Sequence, residues 1–338
     1  MLGAVASPLV SVVVPVRDEA PHLAEALASL SAQSFADFEA IVVDDGSRDG
    51  SLEIALAHAR ADRRFRVLRQ EPLGLVAALE RGRAEARGAV LARMDGDDVS
   101  LPERLALQLE ALEADGLDAC GGGIEYFPRS SLRDGLLRYE AWINGLVTVD
   151  AAARDVFVEC PLPHPALVVR REALERAGGY RDRGWPEDYD LVLRLWRLGA
   201  RFRNVDATVL RWRDHPARVS RVEPRYSLDA FVRCKVHHVR ATLLRERDAV
   251  VWGAGPVGKS FARELLAQGT PVAAFVDVDP RKIGHAVYGI PVVAVEDERR
   301  FADAVALGAV SGEEGRRRVR ELAAAAGRVE GFDFVAVA

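Results

Sequence analysis

Cysteine, lysine and methionine are scarce in this sequence, and no long uninterrupted apolar run occurs. The three cysteines, Cys120, Cys160 and Cys234, are odd in number, far apart and without metal-ligand spacing, which argues against a disulfide framework or a zinc site and fits a reducing cytoplasm. No stretch approaches the roughly 18–20 consecutive apolar residues of a membrane span, so the sequence predicts no transmembrane segment and leaves only peripheral attachment at the inner face of a membrane open. The uncharged opening, residues 1–16, lacks a basic n-region and contains Pro8 and Pro15, so it reads as a buried strand rather than a secretory signal. Three of the 46 basic residues are lysine (Lys235, Lys259 and Lys282); amid so much alanine this marks a coding bias, not an arginine-built binding surface. A formal net charge of -5 and a pI near 5.9 give no global field to attract nucleic acid or anionic lipid, so an anionic ligand needs a local site.

What is present suffices for two folded cores. The 338 residues exceed one ordinary small domain, and 49% hydrophobic with 29% charged residues is the balance of a folded soluble chain. Residues 9–14 form an apolar, β-branched run that stops at Pro15, and residues 20–33 carry helical periodicity. The unit repeats: residues 39–43 are strand-like, 51–59 helical, 66–68 strand-like, 75–86 helical and 89–93 strand-like. Such alternation predicts an α/β fold, a mostly parallel sheet covered by helices. Ligands of such sheets bind beyond the carboxyl ends of the strands, where Asp44, Asp45, Asp95, Asp97 and Asp98 all fall. Residues 118–217 are more broken, with helical stretches near Glu172 and Asp188 and strands over 201–205 and 208–212, and read as acceptor-side structure. Residues 225–247 read as one long basic helix, polar nearly all round. After Asp248 the strand, glycine loop, helix grammar restarts. The predicted organisation is therefore a first domain over 1–222, a helical linker over 223–247 and a smaller α/β domain over 248–338.

Four clusters carry chemistry. In ARMDGDDVSLPERL, Asp95, Asp97 and Asp98 follow a buried strand and precede a helix announced by Ser100 and Pro102. Three carboxylates in four residues repel one another unless a divalent cation neutralises them, and hard oxygens suit magnesium or manganese. The plainer alternative is a solvated turn with capping aspartates. In IVVDDGSRDGS, Asp44 and Asp45 end a strand where Gly46 permits a sharp turn, placed to accept hydrogen bonds from a base or ribose, or to form an Asx turn with Ser47 capping the next helix. In VVVPVRDEAPHL, Pro15, Arg17, Asp18 and Glu19 occupy the first strand-to-helix loop, and Glu19 equally suits the first turn of the helix. In GWPEDYDLVLRLWRLG, Glu187, Asp188 and Asp190 open an amphipathic helix, where acids are ordinary dipole complements.

Taken together, the chain over about 10–220 resembles family 2 glycosyltransferases of the GT-A fold. The resemblance rests on VSVVVPVRDE, SLSAQSFADFE, VVDDGSRDGS, GLVAALERGRAEARGAVLARMDGDD, PHPALVVRREALERAGGY and PEDYDLVLRLWRLG, in that order. It implies an inverting, hexosyltransferase-type enzyme that moves a sugar from a nucleoside diphosphate, uridine being the first expectation, onto an acceptor hydroxyl in glycan or polysaccharide biosynthesis. The acceptor is a glycan, a lipid-linked glycan or a small molecule. It implies Asp45 as a contact to the nucleotide base, with Pro15, Arg17, Glu19, Asp44 and Gly74 on the nucleotide side. Asp95 and Asp97 form the D-x-D pair, Asp97 or Asp98 is the direct ligand of Mg2+ or Mn2+, and Asp188 matches the general base. His215, in LRWRDHPARVS, stands where some relatives place a histidine or arginine near the diphosphate, which makes it a metal-side candidate with Arg213 beside it on the donor side; a lone histidine before proline is more often a surface or packing residue. One departure is Glu80, where many relatives carry asparagine.

In the second domain, VVWGAGPVGKSFARELLAQG sets Gly253, Gly255 and Gly258 after an apolar strand and before a helix, with Asp277 ending the next strand, as a Rossmann dinucleotide-binding fingerprint requires. It resembles the nucleotide-binding half-domain at the front of some sugar-nucleotide-modifying and acyltransferase proteins. NAD(P) or another nucleotide is left open as its ligand, and with no Tyr-x-x-x-Lys pair a binding, regulatory or docking module is expected. The rival readings are a sugar-nucleotide oxidoreductase or epimerase centred on this domain, and a non-catalytic sugar-nucleotide-binding protein. Homo-oligomerisation is open.

Overall fold

A computed structural model describes residues 7–338, so the first six residues of the expected opening strand lie outside the described residues. Contacts divide the chain into two compact units. One comprises the residues up to Ala152 with Pro161–Asp182 and Arg194–Arg218, the other Ala153–Cys160, Arg183–Leu193 and Val219–Ala338.

The first unit is built on eight strands: β1 Val10–Val16, β2 Phe38–Asp44, β3 Phe65–Arg69, β4 Val90–Arg93, β5 Val99–Ser100, β6 Ala119–Phe127, β7 Val168–Arg170 and β8 Phe202–Arg213. Their order is β3-β2-β1-β4-β7-β6-β8-β5. Pairs β1–β2, β2–β3, β1–β4 and β6–β8 are parallel, while β7 runs antiparallel to both β4 and β6. Every residue of β1 and β2 is buried, as expected of strands covered on both faces by helices. β1 runs one residue past Pro15. Its odd residues face β4, with Val90 N–H donating to Leu9 O and Met94 N–H to Val13 O. Pairing with β4 ends at Val13 opposite Arg93, so the missing N–H of Pro15 falls beyond the end of that strand. The two stretches over 201–213 are one strand, β8, with register shifts opposite Gly122 and Gly123. Ser100 belongs to β5 and donates its N–H to Ser29 Oγ rather than capping a helix, and the helix Arg104–Ala114 begins after Glu103.

The amino ends of β1 and β2, opposite the acids, are tied by one buried carboxylate. Ser11 Oγ donates to Glu39 at 2.8 Å, and Arg87 and Arg66 reach the same carboxylate at 2.6 and 3.0 Å. A Cβ on Gly88 would stand 2.7 Å from the Ser11 nitrogen, so the close approach of this loop to β1 requires glycine. Burial raises the Glu39 pKa, but the hydrogen bonds from Arg87, Ser11 and Arg66 outweigh it and bring it down to about 2.

The second unit carries β9 Ala249–Trp252, β10 Val272–Val276, β11 Ala286–Val287, β12 Ile290–Val293, β13 Val305–Gly308 and β14 Phe334–Ala336, in the order β11-β12-β10-β9-β13-β14. All pairs are parallel except β11–β12. The basic stretch over 225–247 is not one helix and is not polar all round. A helix spans Leu228–Val239, capped by Ser227, and continues as a π turn over Arg240–Leu244. It packs on the helix Pro256–Ala267 and buries Ala230, Cys234, Val236 and Val239. Lys235 reads as surface charge yet is buried, because its Nζ donates to the carbonyls of Val158 at 2.7 Å and Val337 at 3.0 Å. Among the described residues no helix is long and apolar enough to cross a membrane.

Glu39→Gln is expected to cost about 1.5–3 kcal/mol of stability, the usual value of charge-assisted hydrogen bonds. A depressed carboxyl pKa contributes stability above its unfolded value of 4.5 and loses it as pH falls toward about 2, so the substitution also flattens the acid branch. Denaturant titrations at pH 7 and pH 3 measure both effects; an equal loss at the two values contradicts the assignment.

Candidate functional site

β4 ends at Arg93, and the chain turns through Met94 and Gly96 so that Asp95, Asp97 and Asp98 gather at its carboxyl end. Each offers an oxygen within 4.8 Å of the others. Asp98 is 1% exposed; burial, then the charges of Asp97 and Asp95, push its pKa well above the ordinary carboxylate range. Its Oδ1 accepts the Arg213 N–H at 2.8 Å, whereas Oδ2 has no hydrogen-bond partner. His215 Nε2 stands 2.9 Å from Asp97 Oδ2, and Arg213 Nε donates to the Asp97 carbonyl at 2.7 Å. β8 and the residues just after it therefore bring Arg213 and His215 to the cluster. Clustered hard oxygens with one buried lone oxygen fit a divalent cation held by Asp95, Asp97 and Asp98.

Counter-charges that the sequence reading missed lie beneath and beside the acids. Arg93 pairs with Asp95 at 2.5 Å; as alternate residues of one extended segment they share a face, a signal legible in the run ARMD. Arg104 is fully buried and donates to the Arg93 carbonyl at 2.6 Å. Burial, then Arg93, lower its pKa to about 9. Arg218 lies 4.6 Å over the Trp212 ring and 3.8 Å from Asp214. Burial lowers its pKa, but Tyr126, Asp98 and Asp95 outweigh that effect and raise it. No local pattern announces it.

The first two loops lock each other. Asp18 N–H donates to Ser47 Oγ, Glu19 N–H to Ser51 Oγ at 2.8 Å and Ala20 N–H to Asp49 Oδ2 at 2.8 Å, while Asp18 Oδ1 accepts the Arg48 N–H. Ser47 thus serves the neighbouring loop and caps no helix; Gly50 stands at the helix start. Glu19 lies beside Gly96, and burial, then Asp97, Asp95, Asp49 and Asp18, push its pKa up to about 8. Pro15 is buried in β1, and Arg17, half exposed, reaches within 3.7 Å of Asp45.

Asp45 fastens a third loop. Its Oδ1 accepts from Gln70 Nε2 at 2.7 Å and the Leu73 N–H at 2.8 Å, and its Oδ2 accepts the Gly74 N–H at 2.9 Å. Gly74 then opens the helix Leu75–Glu85 with φ 93°, a conformation that favours glycine. Asp44 is 1% exposed and neither carboxylate oxygen has a hydrogen-bond partner. Glu80, the departure from the family pattern, pairs with Arg83 at 2.7 Å and accepts the Tyr180 N–H at 2.7 Å. It ties its helix to the turn after Arg171–Ala177.

Asp188 lies in the part of the helix Glu187–Arg197 that groups with the second unit, and its Oδ1 accepts the Tyr189 N–H at 2.7 Å. Its neighbours are pinned: Tyr226 Oη donates to Glu187, with both carboxylate oxygens 2.8 Å away, and Asp190 Oδ1 is met by Trp185 Nε1 at 3.1 Å and His238 Nε2 at 3.0 Å. In the second sheet, Gly253 (φ 106°), Gly255 and Gly258 form the turn from β9 into the helix Pro256–Ala267, and Asp277 follows β10.

Known proteins resemble the chain in sequence and in fold. Residues 11–178 match the family described as Glycosyl transferase family 2. The uncharacterized glycosyltransferase EpsJ of Bacillus subtilis (strain 168) is 29% identical over 232 residues, which cover 66% of this chain and 66% of that protein, just under two thirds of its length. The structure of S. aureus TarS 1-349 in complex with UDP-GlcNAc superposes with a TM-score of 0.56 at 17% identity, covering 76% of this chain and 71% of that one. The mannosyltransferase PcManGT from Pyrobaculum calidifontis, in complex with GDP-Man and Mn2+, gives a TM-score of 0.52 at 20% identity, covering 78% and 69%. At these identities the two structures speak for the fold alone, the GT-A arrangement of a large, mostly parallel sheet. Residues 11–178, just under half of the chain, form a glycosyl transferase family 2 domain.

Proposed function

We propose that the chain is an inverting glycosyltransferase that transfers a sugar from a nucleoside diphosphate, uridine being the first to try, onto an acceptor hydroxyl in glycan or polysaccharide biosynthesis at the cytoplasmic side of the membrane. The observation that carries the reading is the carboxylate cluster Asp95, Asp97 and Asp98, in which Asp98 is buried with a lone oxygen. UDP-GlcNAc on the TarS structure and GDP-Man with Mn2+ on PcManGT support a nucleotide-sugar donor and a divalent cation.

Asp97 and Asp98 would hold that cation, Mg2+ or Mn2+, with His215 and Arg213 fixing the Asp97 side. When bound, the cation neutralises charge developing on the leaving diphosphate. Arg17 and the loop braced by Asp45 and Gly74 would receive the nucleoside, with Pro15, Glu19 and Asp44 beneath it. Asp188 would take the proton from the acceptor hydroxyl as that oxygen attacks the anomeric carbon from the face opposite the diphosphate, so the configuration inverts and the C–O bond to the diphosphate breaks. The buried Glu187, held by Tyr226, fixes the start of the helix that carries Asp188.

Asp188→Asn is expected to reduce turnover by about 100-fold or more, the usual weight of general-base catalysis, with donor affinity unchanged; steady-state kinetics alongside donor titration check this, and intact turnover rejects the assignment. Chelation by EDTA is expected to abolish transfer and Mn2+ to restore it, whereas full activity in excess EDTA rules out the cation. Glu19 predicts a pH effect of definite sign. A carboxyl raised from 4.5 to about 8 holds its proton more tightly folded than unfolded, so without divalent cation stability falls as pH rises through that window. Melting temperatures in EDTA at pH 5.5 and pH 8 measure the slope, which Glu19→Gln is expected to flatten; an unchanged slope contradicts the assignment.

A further inference from the structure

Asp190, Cys234 and His238 form a second cluster of metal-type donors, all within the second unit. Their ligand atoms lie within 4.8 Å of one another, and the three residues are 1%, 0% and 1% exposed. Asp190 comes from the first turn of the helix Glu187–Arg197, and Cys234 and His238 from the helix Leu228–Val239. The three cysteines are too far apart in sequence to share an ion, but Cys234 has a partner one turn along its own helix. Residues at i and i+4 stand on one face, the spacing by which a helix offers two ligands to zinc. Directly after His238 and Val239 the helix widens into the π turn Arg240–Leu244, where Thr242 Oγ1 donates to the His238 carbonyl at 2.8 Å. Such turns are frequent at functional sites.

A Cys-His-Asp set can serve nucleophilic catalysis or hold a metal. Burial decides between them, because a sulfur on a residue with no exposed surface meets no substrate, whereas an ion is taken up as the chain folds. Thiolate and imidazole select zinc, while the all-oxygen cluster of Asp95, Asp97 and Asp98 suits magnesium or manganese. One thiolate, one carboxylate and one neutral imidazole cancel the charge of Zn2+, so the filled site is neutral, as an interior position demands. His238 Nε2 stands 3.0 Å from Asp190 Oδ1. Zinc bonds of about 2.0–2.3 Å set tetrahedral donors about 3.3–3.7 Å apart, so small side-chain shifts admit the ion. A bidentate carboxylate supplies the fourth donor. Trp185 Nε1 donates to Asp190 Oδ1 at 3.1 Å, the outer-shell bond that orients a ligating carboxylate. We infer that Asp190, Cys234 and His238 bind one Zn2+, which fastens the first turn of the helix carrying Asp188 to the helix Leu228–Val239. Binding releases to solvent the thiol proton and the proton held between Asp190 and His238. The inference does not depend on the transfer reaction.

Elemental analysis and absorption spectroscopy of the untagged full chain test it, with Asp97→Asn and Asp98→Asn present throughout so that the all-oxygen cluster holds no ion. The chain purified without added metal is expected to carry one equivalent of zinc. Produced in cobalt-supplemented medium, it is expected to show a thiolate-to-cobalt charge-transfer band, which carboxylates cannot give. Cys234→Ser is expected to lose that band and, like His238→Gln, to lower the zinc content by at least about tenfold, the usual cost of a damaged zinc shell. Cys120→Ser and Cys160→Ser are expected to keep both signals, and their band assigns the ligand to Cys234 even where Cys234→Ser does not fold. The inference is overturned if the chain carries no zinc or shows no thiolate band, if Cys234→Ser retains the band, or if Cys120→Ser or Cys160→Ser loses it.

Discussion

Mutual repulsion among three carboxylates at the end of β4 is the constraint around which the first unit is arranged. Asp95, Asp97 and Asp98 crowd within 4.8 Å of one another, and Asp98 is buried. Left alone, such a group costs the fold stability, because charged carboxylates lose solvation and repel. The surrounding structure answers with cations and donors at fixed points: Arg93 against Asp95, Arg104 beneath the Arg93 carbonyl, and the Arg213 amide and guanidinium and the His215 ring arriving on β8. These offset part of the charge and leave one Asp98 oxygen without a partner. A site held in that state favours whatever cation completes it.

The same logic orders the loops. Ser47, Asp49 and Ser51 brace the first loop, and Asp45 braces the third through Gln70, Leu73 and Gly74. A rigid rim is what electrostatic preorganisation requires, since donors that must reorient lose their advantage at the moment of reaction. At the opposite end of the sheet Glu39 does the complementary work, tying Ser11, Arg66 and Arg87 into one buried knot.

Much of this was legible in the chain before any coordinates. The alternation of buried β-branched runs with amphipathic stretches places β1 to β4 and their helices within one or two residues, because a strand covered on both faces has little choice of composition. The acids at strand ends were legible for the same reason: a carboxylate after an apolar run sits where the strand leaves the sheet. What escaped were partners far apart in sequence. Nothing near Arg218 announces that it lies over the Tyr126 ring, and Ser47, which reads as a helix cap, serves the loop at Asp18 instead. The stretch over 225–247 misled because Lys235 and His238 read as surface charge, whereas backbone carbonyls and Asp190 satisfy them inside.

The account's central claim is that the Asp95–Asp97–Asp98 cluster exists to hold a divalent cation together with a nucleoside diphosphate. Anomalous diffraction from crystals grown with Mn2+ and UDP is its most direct test. The account predicts one anomalous peak within bonding distance of an Asp97 or Asp98 oxygen and of the diphosphate; a bound nucleotide with no peak there, or a peak coordinated elsewhere, would contradict it.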